Sequence, residues 1–263
     1  NAIVPLFFLR PLGHDEPDKV PYFEHAIQQP QLAIKLGFQK ETNLDLEKII
    51  NSIGNIKRLP QIINRLFNFI GSRPKIIKPL IRSSAQNHFK LYIKLKVDFS
   101  AFNILVNNFQ FIPPDYIVSG FGQIYQIKNV AGNFSIYYVG GFFKNKEDYY
   151  ENFHKLIRNE PLGMLLFKNV VETINDDQIY IMPGFFAGLF DSTLLGFGLE
   201  NFSRLLIKDQ SFIKRVVRDR EIYFCEIIKQ IIDEFNCETL FIGDDLAYNS
   251  GPFISPRYFN KIF

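Results

Sequence analysis

The stretch "GDDLAYNSG", residues 243–251, directly follows the apolar run "TLFI" at residues 239–242. A short apolar run is typical of a buried β-strand, and the glycines and Asn249 are typical of a loop. Two adjacent carboxylates, Asp244 and Asp245, stand where the strand ends. Because a buried and unpaired carboxylate is costly, the two acids lie either in a polar turn or at the rim of a site.

Three more segments have the character of strands: "KVPYFE" at 19–24, "FSAFNILV" at 99–106 and "QIYIM" at 178–182. Helical patterns separate them, and the longest helix is predicted to begin at an Asp209 cap. Its apolar stripe recurs at helical spacing and consists of Phe212, Val216, Tyr223, Ile227, Ile231 and Phe235. Buried strands that alternate with helices indicate an α/β fold with a parallel sheet. No glycine-rich phosphate fingerprint follows the first strand, so the pattern favours a (β/α)8 TIM barrel.

Four of the eight barrel strands are predicted, so we expect one domain over residues 1–263 that holds only the first four βα units. Prolines interrupt the helical pattern over about 43–95, which predicts an excursion of several short helices. Two alternating segments joined by Ala131-Gly132 predict an antiparallel hairpin, inserted at about 119–141. Ser255-Pro256 predicts the start of a last helix.

The composition is that of an ordinary globular protein, with 47% hydrophobic residues, 22% charged residues and a net charge of +3. The basic residues are dispersed, which argues against a nucleic-acid partner and against an anionic membrane surface. The apolar runs are shorter than the roughly 20 residues that cross a bilayer. Two cysteines without a CxxC pair fit a reducing compartment, so we expect a cytoplasmic protein.

The active site of a β/α barrel lies at the carboxyl ends of its strands. That rule selects four segments, which are "FEH" at 23–25, "VNNF" at 106–109, "PGFFAGLF" at 183–190 and "GDDLAYNSG" at 243–251. Although these segments are far apart in sequence, we expect them to converge on one mouth.

Three motifs carry a resemblance to a known family. The segment "EPDKVPYFEH" at 16–25 resembles the opening strand of the uroporphyrinogen decarboxylase superfamily, in its corrinoid-linked methyltransferase-like branch. The segment "SGFGQIYQI" at 119–127 resembles the hairpin of that branch. The most specific motif, "GDDLAYNSGPFISPRYF" at 243–259, is similar to its fourth strand, loop and helix. The resemblance implies a β/α barrel, in agreement with the pattern of strands and helices.

The family has two chemistries, and the resemblance favours one of them. True uroporphyrinogen decarboxylases have an arginine-rich loop near the N-terminus and an Asp that ends strand two. This chain has no such loop, and Phe102-Asn103-Ile104 stands in the place of the second motif. The resemblance therefore implies methyl transfer between a corrinoid cofactor and a thiol, which zinc activates in that branch. The zinc ligands of the family, a His-x-Cys pair and a later Cys, are expected beyond Phe263.

Two alternatives stay open. One is uroporphyrinogen decarboxylation, and the other is a non-catalytic module that binds a tetrapyrrole or a corrinoid-carrying partner protein. If the protein is an enzyme of either kind, we expect its ligand to be a small-molecule substrate.

Site residues follow from position and from the resemblance. We predict Asp245 and Glu24 as catalytic contacts at the mouth, and Asp244 as the organiser of the loop. The further substrate-binding candidates are Tyr248, Asn249, His25 and Phe190. Each has a simpler reading: the aspartates cap the loop before Ser255, Glu24 and His25 are solvated, Asn249 forms a turn, and Phe190 belongs to the core.

Overall fold

A parallel sheet and an antiparallel sheet organise the chain. The computed structural model describes Phe23, Phe89 and residues 91–105, 110–112, 115–130, 133–157, 162–173, 179–235 and 237–263. The parallel sheet consists of β1 (Phe99–Asn103), β6 (Tyr180–Phe185) and β7 (Phe241–Ile242), in that order. The antiparallel sheet consists of β2 (Gln110–Ile112), β3 (Tyr116–Val118), β4 (Gln123–Val130) and β5 (Asn133–Gly141), also in chain order. The predicted α/β class with a parallel sheet is confirmed.

The parallel strands follow one another in the order in which the chain makes them. Phe23 forms a parallel bridge with Phe99, so Phe23 lies beside β1. The strand β6 is buried along its whole length, which agrees with the prediction of a sheet covered on both faces. The strand predicted at 99–106 ends sooner, at Asn103, whose side-chain oxygen accepts a hydrogen bond from the Leu105 N–H at 3.1 Å.

Aromatic rings from both sides of this sheet meet on one of its faces. The ring of Phe23 stacks on Phe99 with a centroid distance of 4.8 Å and also lies 5.6 Å from the ring of Phe241. Because neighbouring strands are about 4.8 Å apart, a flat sheet would hold the first and fourth segments about 14 Å apart. The rings pack with Ala101 and Met182 in a small apolar cluster on that face. The strands that the structure describes do not close into a barrel.

The predicted hairpin is confirmed, and it belongs to a larger sheet. The strands β4 and β5 pair in antiparallel register, and β2 and β3 extend the sheet on the side of β4. Gly141 touches the main chain of Phe197, because a Cβ at position 141 would lie 2.1 Å from the Phe197 carbonyl carbon. The hairpin therefore packs backbone to backbone against the helical layer.

Besides the helical residues at 89 and 91–94, six helices lie in the described part of the chain. They are α1 (Lys146–Leu156), α2 (Leu162–Thr173), α3 (Leu189–Phe197), α4 (Leu199–Lys208), α5 (Gln210–Phe235) and α6 (Pro256–Ile262). The sequence predicted two helices between β6 and β7, and the structure has three. Gly198 separates α3 from α4, because its φ of 78° is readily adopted only by glycine. None of the described helices has the length and apolar character needed to cross a bilayer.

Both predicted helix caps are confirmed. The Asp209 carboxylate accepts a hydrogen bond from the Phe212 N–H at 3.0 Å, and the Ser255 hydroxyl accepts one from the Tyr258 N–H. The apolar stripe of α5 is buried as predicted, apart from Phe235, which is half-buried. Of the helical excursion predicted over 43–95, Phe89 and residues 91–94 are helical, and residues 43–88 lie outside the described part.

A buried arginine joins α5 to the helix and the sheet that it faces. The side chain of Arg220 is fully buried and donates to the Ser192 carbonyl at 2.6 Å and to the Phe121 carbonyl at 3.2 Å. Its guanidinium also lies over the rings of Phe121 and Phe153, at 5.4 and 5.7 Å from their centroids. Burial lowers the pKa of Arg220 to about 10, and Tyr149 and Asp219 raise it. The side chain is therefore charged at neutral pH.

Loss of this arginine should be strongly destabilising. Replacement by Met keeps the volume but removes the donor of two buried carbonyls, which costs about 1–3 kcal/mol for a carbonyl that is left without a partner. We expect Arg220→Met to lower the free energy of unfolding by about 2–5 kcal/mol, measured by urea denaturation. The control is Arg218→Met, two residues away on the same helix. The Arg218 side chain is 64% exposed, so this substitution should change stability by less than about 1 kcal/mol. Equal losses in the two variants would contradict this role.

Candidate functional site

The loops after β6 and β7 are hydrogen-bonded to each other at one edge of the parallel sheet. The Gly243 N–H donates to the Phe185 carbonyl and the Gly188 N–H donates to the Gly243 carbonyl, both at 2.8 Å. These bonds continue the β6–β7 pairing beyond the strands. They bring the start of "GDDLAYNSG" against the start of α3.

Asp244 caps α3 from a distant part of the sequence. The N-cap position of α3 is Gly188, which has no side chain to accept the first N–H groups of the helix. The Asp244 carboxylate fills that role, because its Oδ2 accepts from the Phe190 N–H at 3.0 Å and its Oδ1 from the Asp191 N–H at 2.7 Å. An anion at this end of a helix is also favoured by the helix dipole.

Gly188 makes room for this cap. A Cβ added at Gly188 would lie 2.5 Å from the Asp244 Cγ, far inside van der Waals contact. The cap therefore needs both residues, because the absence of a side chain at Gly188 leaves the space that the Asp244 carboxylate occupies.

Asp191 is a third carboxylate in this place, and the sequence reasoning did not identify it. It lies in the first turn of α3 and is half-buried. Burial, and then the charges of Asp244 and Asp245, raise the pKa of the Asp191 carboxyl to about 6. Burial also raises the pKa of Asp244, although the N–H groups of Asp191 and Phe190 lower it. An Asp in the first helical turn after a barrel-type strand is the signal that could have identified Asp191.

Two tyrosines of the antiparallel sheet interact electrostatically with Asp191. Burial raises the pKa of Tyr125 and of Tyr138 to about 12, and the negative charge of Asp191 contributes to both shifts. Their rings meet edge to face at 6.1 Å, and the Tyr138 hydroxyl donates to the Leu195 carbonyl at 2.9 Å. Both hydroxyls are neutral at physiological pH and so act as hydrogen-bond donors.

The rest of the loop forms a small exposed hairpin. The strands β8 (Ala247–Tyr248) and β9 (Gly251–Pro252) pair antiparallel, with Asn249 in the exposed turn between them. Tyr248 is 56% exposed, and its ring packs on Phe253 at 4.0 Å. Asp245 is exposed at the base of this hairpin.

The structure brings together Asp244 and Asp245 and adds Asp191 to them. The Asp244 carboxylate holds the start of α3, whereas the simpler sequence reading had the aspartates cap the loop before Ser255. Phe190 is buried, and its ring contacts those of Phe253, Phe259 and Phe263. The predicted residues Glu24 and His25 and the segment 106–109 lie outside the described residues. The site roles of all these residues stay predictions.

The described residues do not fit a zinc site. Among them, no three His, Cys, Asp or Glu side chains are placed to hold a metal ion together. Burial raises the pKa of the Cys237 thiol to about 11, which disfavours the thiolate that binds a metal. Cys225 is exposed on α5, far in sequence from the acids. The expectation that the zinc ligands follow Phe263 stays a prediction.

Comparison with known proteins yields no relative. No family model, curated protein or solved structure matches the chain. The function is therefore inferred from the motifs of the sequence and from the placement of the three carboxylates.

The cap on α3 gives a double-mutant test. Asp244→Ala should lower the free energy of unfolding by about 0.5–2 kcal/mol, because two N–H groups lose their acceptor. Gly188→Ala should act through the same cap, so it should cost less in the Asp244→Ala background than in the wild type. Urea denaturation of the four proteins measures both effects. Asp245→Ala is the neighbouring control. Strict additivity of the first two substitutions would contradict the role of Gly188 in the Asp244 cap.

The raised pKa of Asp191 predicts how stability depends on pH. Its carboxyl is protonated more readily in the folded than in the unfolded protein, so its contribution favours folding at low pH and is lost as pH rises through about 6. Because the group is partly exposed, we expect a loss of about 1 kcal/mol between pH 5 and 7. Asp191→Asn should remove that loss in urea titrations at the two pH values. Glu200→Gln, in the first turn of α4, is the control and should leave it unchanged.

Proposed function

We propose that the chain is a β/α-barrel protein of the uroporphyrinogen decarboxylase superfamily that transfers a methyl group between a corrinoid and a thiol. The observation that carries the proposal is the parallel order of Phe23, β1, β6 and β7, with acidic residues in the loops after β6 and β7. Neighbouring parallel strands in chain order are the arrangement of a β/α barrel, whose active site lies at this edge.

The rings of Phe23 and Phe241 support the barrel. Phe23 bridges to β1 and Phe241 lies in β7, on opposite sides of the sheet, yet their rings lie 5.6 Å apart on one face. Large apolar side chains that meet across the inner face are expected of a barrel interior. The three described strands and the Phe23 bridge would form a part of the eight strands that a closed barrel needs.

The chemistry of the three carboxylates favours a corrinoid over a porphyrinogen. A corrinoid carries amide groups around its ring, and their N–H groups can donate to a carboxylate. Asp244 and Asp245 are both exposed, but the Asp244 carboxylate already accepts from two N–H groups of α3. Uroporphyrinogen carries carboxylates, which Asp191, Asp244 and Asp245 would repel when they are ionised. Asp245 is therefore the proposed ligand contact, while Asp244 holds the start of α3 in place.

One observation favours uroporphyrinogen decarboxylation as a second candidate. Asp191 has a pKa of about 6, so a part of the population carries a proton near neutral pH. Decarboxylation leaves a carbanion that needs a proton, and an acid with a pKa near the working pH is suited to supply it. In this reading Asp191 would be the proton donor.

Ligand binding and turnover separate these readings. The full chain is titrated with methylcobalamin and, separately, with uroporphyrin, and binding is followed by the absorbance of the ligand. We expect methylcobalamin to bind and Asp245→Ala to weaken that binding about tenfold or more, since a hydrogen bond to a charged group contributes about 1.5–3 kcal/mol. Glu200→Gln is the control and should bind as the wild type does.

Turnover is measured in a second experiment. The protein is mixed with methylcobalamin and a small thiol, and the loss of the methyl–cobalt absorbance is followed. Thiol-dependent demethylation supports methyl transfer. Consumption of uroporphyrinogen would favour the second candidate, and binding without turnover would favour a non-catalytic module. Absence of corrinoid binding would overturn the proposal.

A further inference from the structure

The outer edge of β5 has few of the features that protect an edge strand. The strand has nine residues and lies at the end of the four-stranded sheet, and its sequence "NFSIYYVGG" contains neither a charged residue nor a proline. Charges, prolines, short length and bulges are features by which natural edge strands avoid pairing with other chains, and of these β5 has only a bulge, at Val139. Four consecutive apolar side chains are also exposed, namely Ile136 at 58%, Tyr137 at 44%, Tyr138 at 37% and Val139 at 48%.

The hydrogen bonds of the sheet show which residues of β5 turn their main chain outward. The Ile127 N–H donates to the Asp115 carbonyl at 2.8 Å, so the N–H and C=O groups of Ile127 point away from β5. The main-chain groups of successive residues in a strand point to opposite sides, so Gln126 turns toward β5. Gln126 is the partner of Tyr137, and Tyr137 therefore bonds inward.

By the same alternation, Ile136 and Tyr138 present their N–H and C=O groups at the outer edge. No strand pairs with this edge among the residues that the structure describes. Within that part of the chain, the edge therefore offers both unpaired backbone groups and apolar side chains to an added strand.

We propose that two copies of this chain associate through β5, antiparallel, with the two-fold axis at Tyr137. Two identical antiparallel strands can bond only where residues with outward-facing main chains meet each other. An axis at Tyr137 satisfies this rule, because Ile136 of each copy stands opposite Tyr138 of the other. The two sheets then join into one sheet of eight strands. The bulged part of β5 near Val139 stays outside the central pairs.

A second copy fits this edge for two reasons. A two-fold contact is self-complementary, so the same uncharged apolar segment meets itself and no like charges on β5 oppose each other. Large side chains expose about 150–250 Å² when free, so the four exposed residues offer about 350 Å² per copy and about 700 Å² in the pair. Stable specific interfaces bury about 1,200–2,000 Å², so the dimer is weak and reversible.

Sedimentation velocity over about a hundredfold range of protein concentration tests the association. We expect the wild type to shift from monomer toward dimer as concentration rises. Tyr137→Lys and Tyr137→Glu should each weaken the dimer tenfold or more, because like charges would face each other across the axis. An equimolar mixture of the two variants should regain the dimer. Ile207→Lys is the matched control, since Ile207 is 69% exposed on α4 and should have no effect.

Cross-linking tests the position of the axis. Residues that face each other in a non-hydrogen-bonded antiparallel pair have Cα atoms about 4.5 Å apart, within the range of a disulfide. Tyr137→Cys should therefore form a covalent dimer on mild oxidation in a Cys225→Ser background, which removes the exposed native thiol. Ile207→Cys in the same background should not. A wild type that stays monomeric at every concentration overturns the proposal, and a dimer that Tyr137→Cys fails to cross-link overturns the axis.

Discussion

The guanidinium of Arg220 is the contact on which the arrangement of the layers depends. It extends from α5 and donates both to the Ser192 carbonyl of α3 and to the Phe121 carbonyl in the turn between β3 and β4. Gly196 permits this approach, because a Cβ there would lie 2.3 Å from the Phe121 carbonyl oxygen and 2.9 Å from the guanidinium. A charged side chain without water around it needs these acceptors, so α3 and the sheet are held at one separation. The start of α3, with Asp191 beside Ser192, is thereby fixed in space.

At that start, two electrostatic requirements oppose each other. The open N–H groups of α3 favour a charged carboxylate on Asp244, and the helix dipole has the same effect. Asp191 and Asp245 carry the same sign, and burial removes part of the water that would screen them. As a result, the backbone N–H groups donate to Asp244, whereas the pKa of Asp191 is the one that is strongly raised. Sites with carboxylates in unequal surroundings are a common source of groups that titrate near neutral pH.

The sequence was informative wherever the determining interaction is local. The caps at Asp209 and Ser255 and the stripe of α5 involve residues within one or a few helical turns, and all were predictable. The alternation of β4 and β5 around Ala131-Gly132 made that hairpin predictable as well. The break at Gly198 was missed, because a glycine inside an apolar helical pattern gives little sign of a positive φ before the structure is known.

The candidate site was predictable only in outline. The rule that barrel sites lie at strand ends selected Asp244 and Asp245 correctly as strand-end residues. It could not identify the partner of Asp244, because Phe190 and Asp191 lie more than 50 residues earlier in the sequence. The short strands β2 and β3 were missed because three residues are too few to show a period. Contacts of this kind depend on tertiary packing, which single-sequence patterns do not contain.

The bare contact between Gly141 and Phe197 has a mechanical consequence. Side chains between two packed elements usually allow one element to tilt relative to the other, because their rotamers can change. At Gly141 no side chain intervenes, and Tyr138 of β5 adds a hydrogen bond to the Leu195 carbonyl of α3. Since the main chains touch, the two elements should tilt together rather than independently. The outer edge of β5 lies on one of them and the helix end that carries Asp191 lies on the other, so a load applied to the strand should reach the carboxylates.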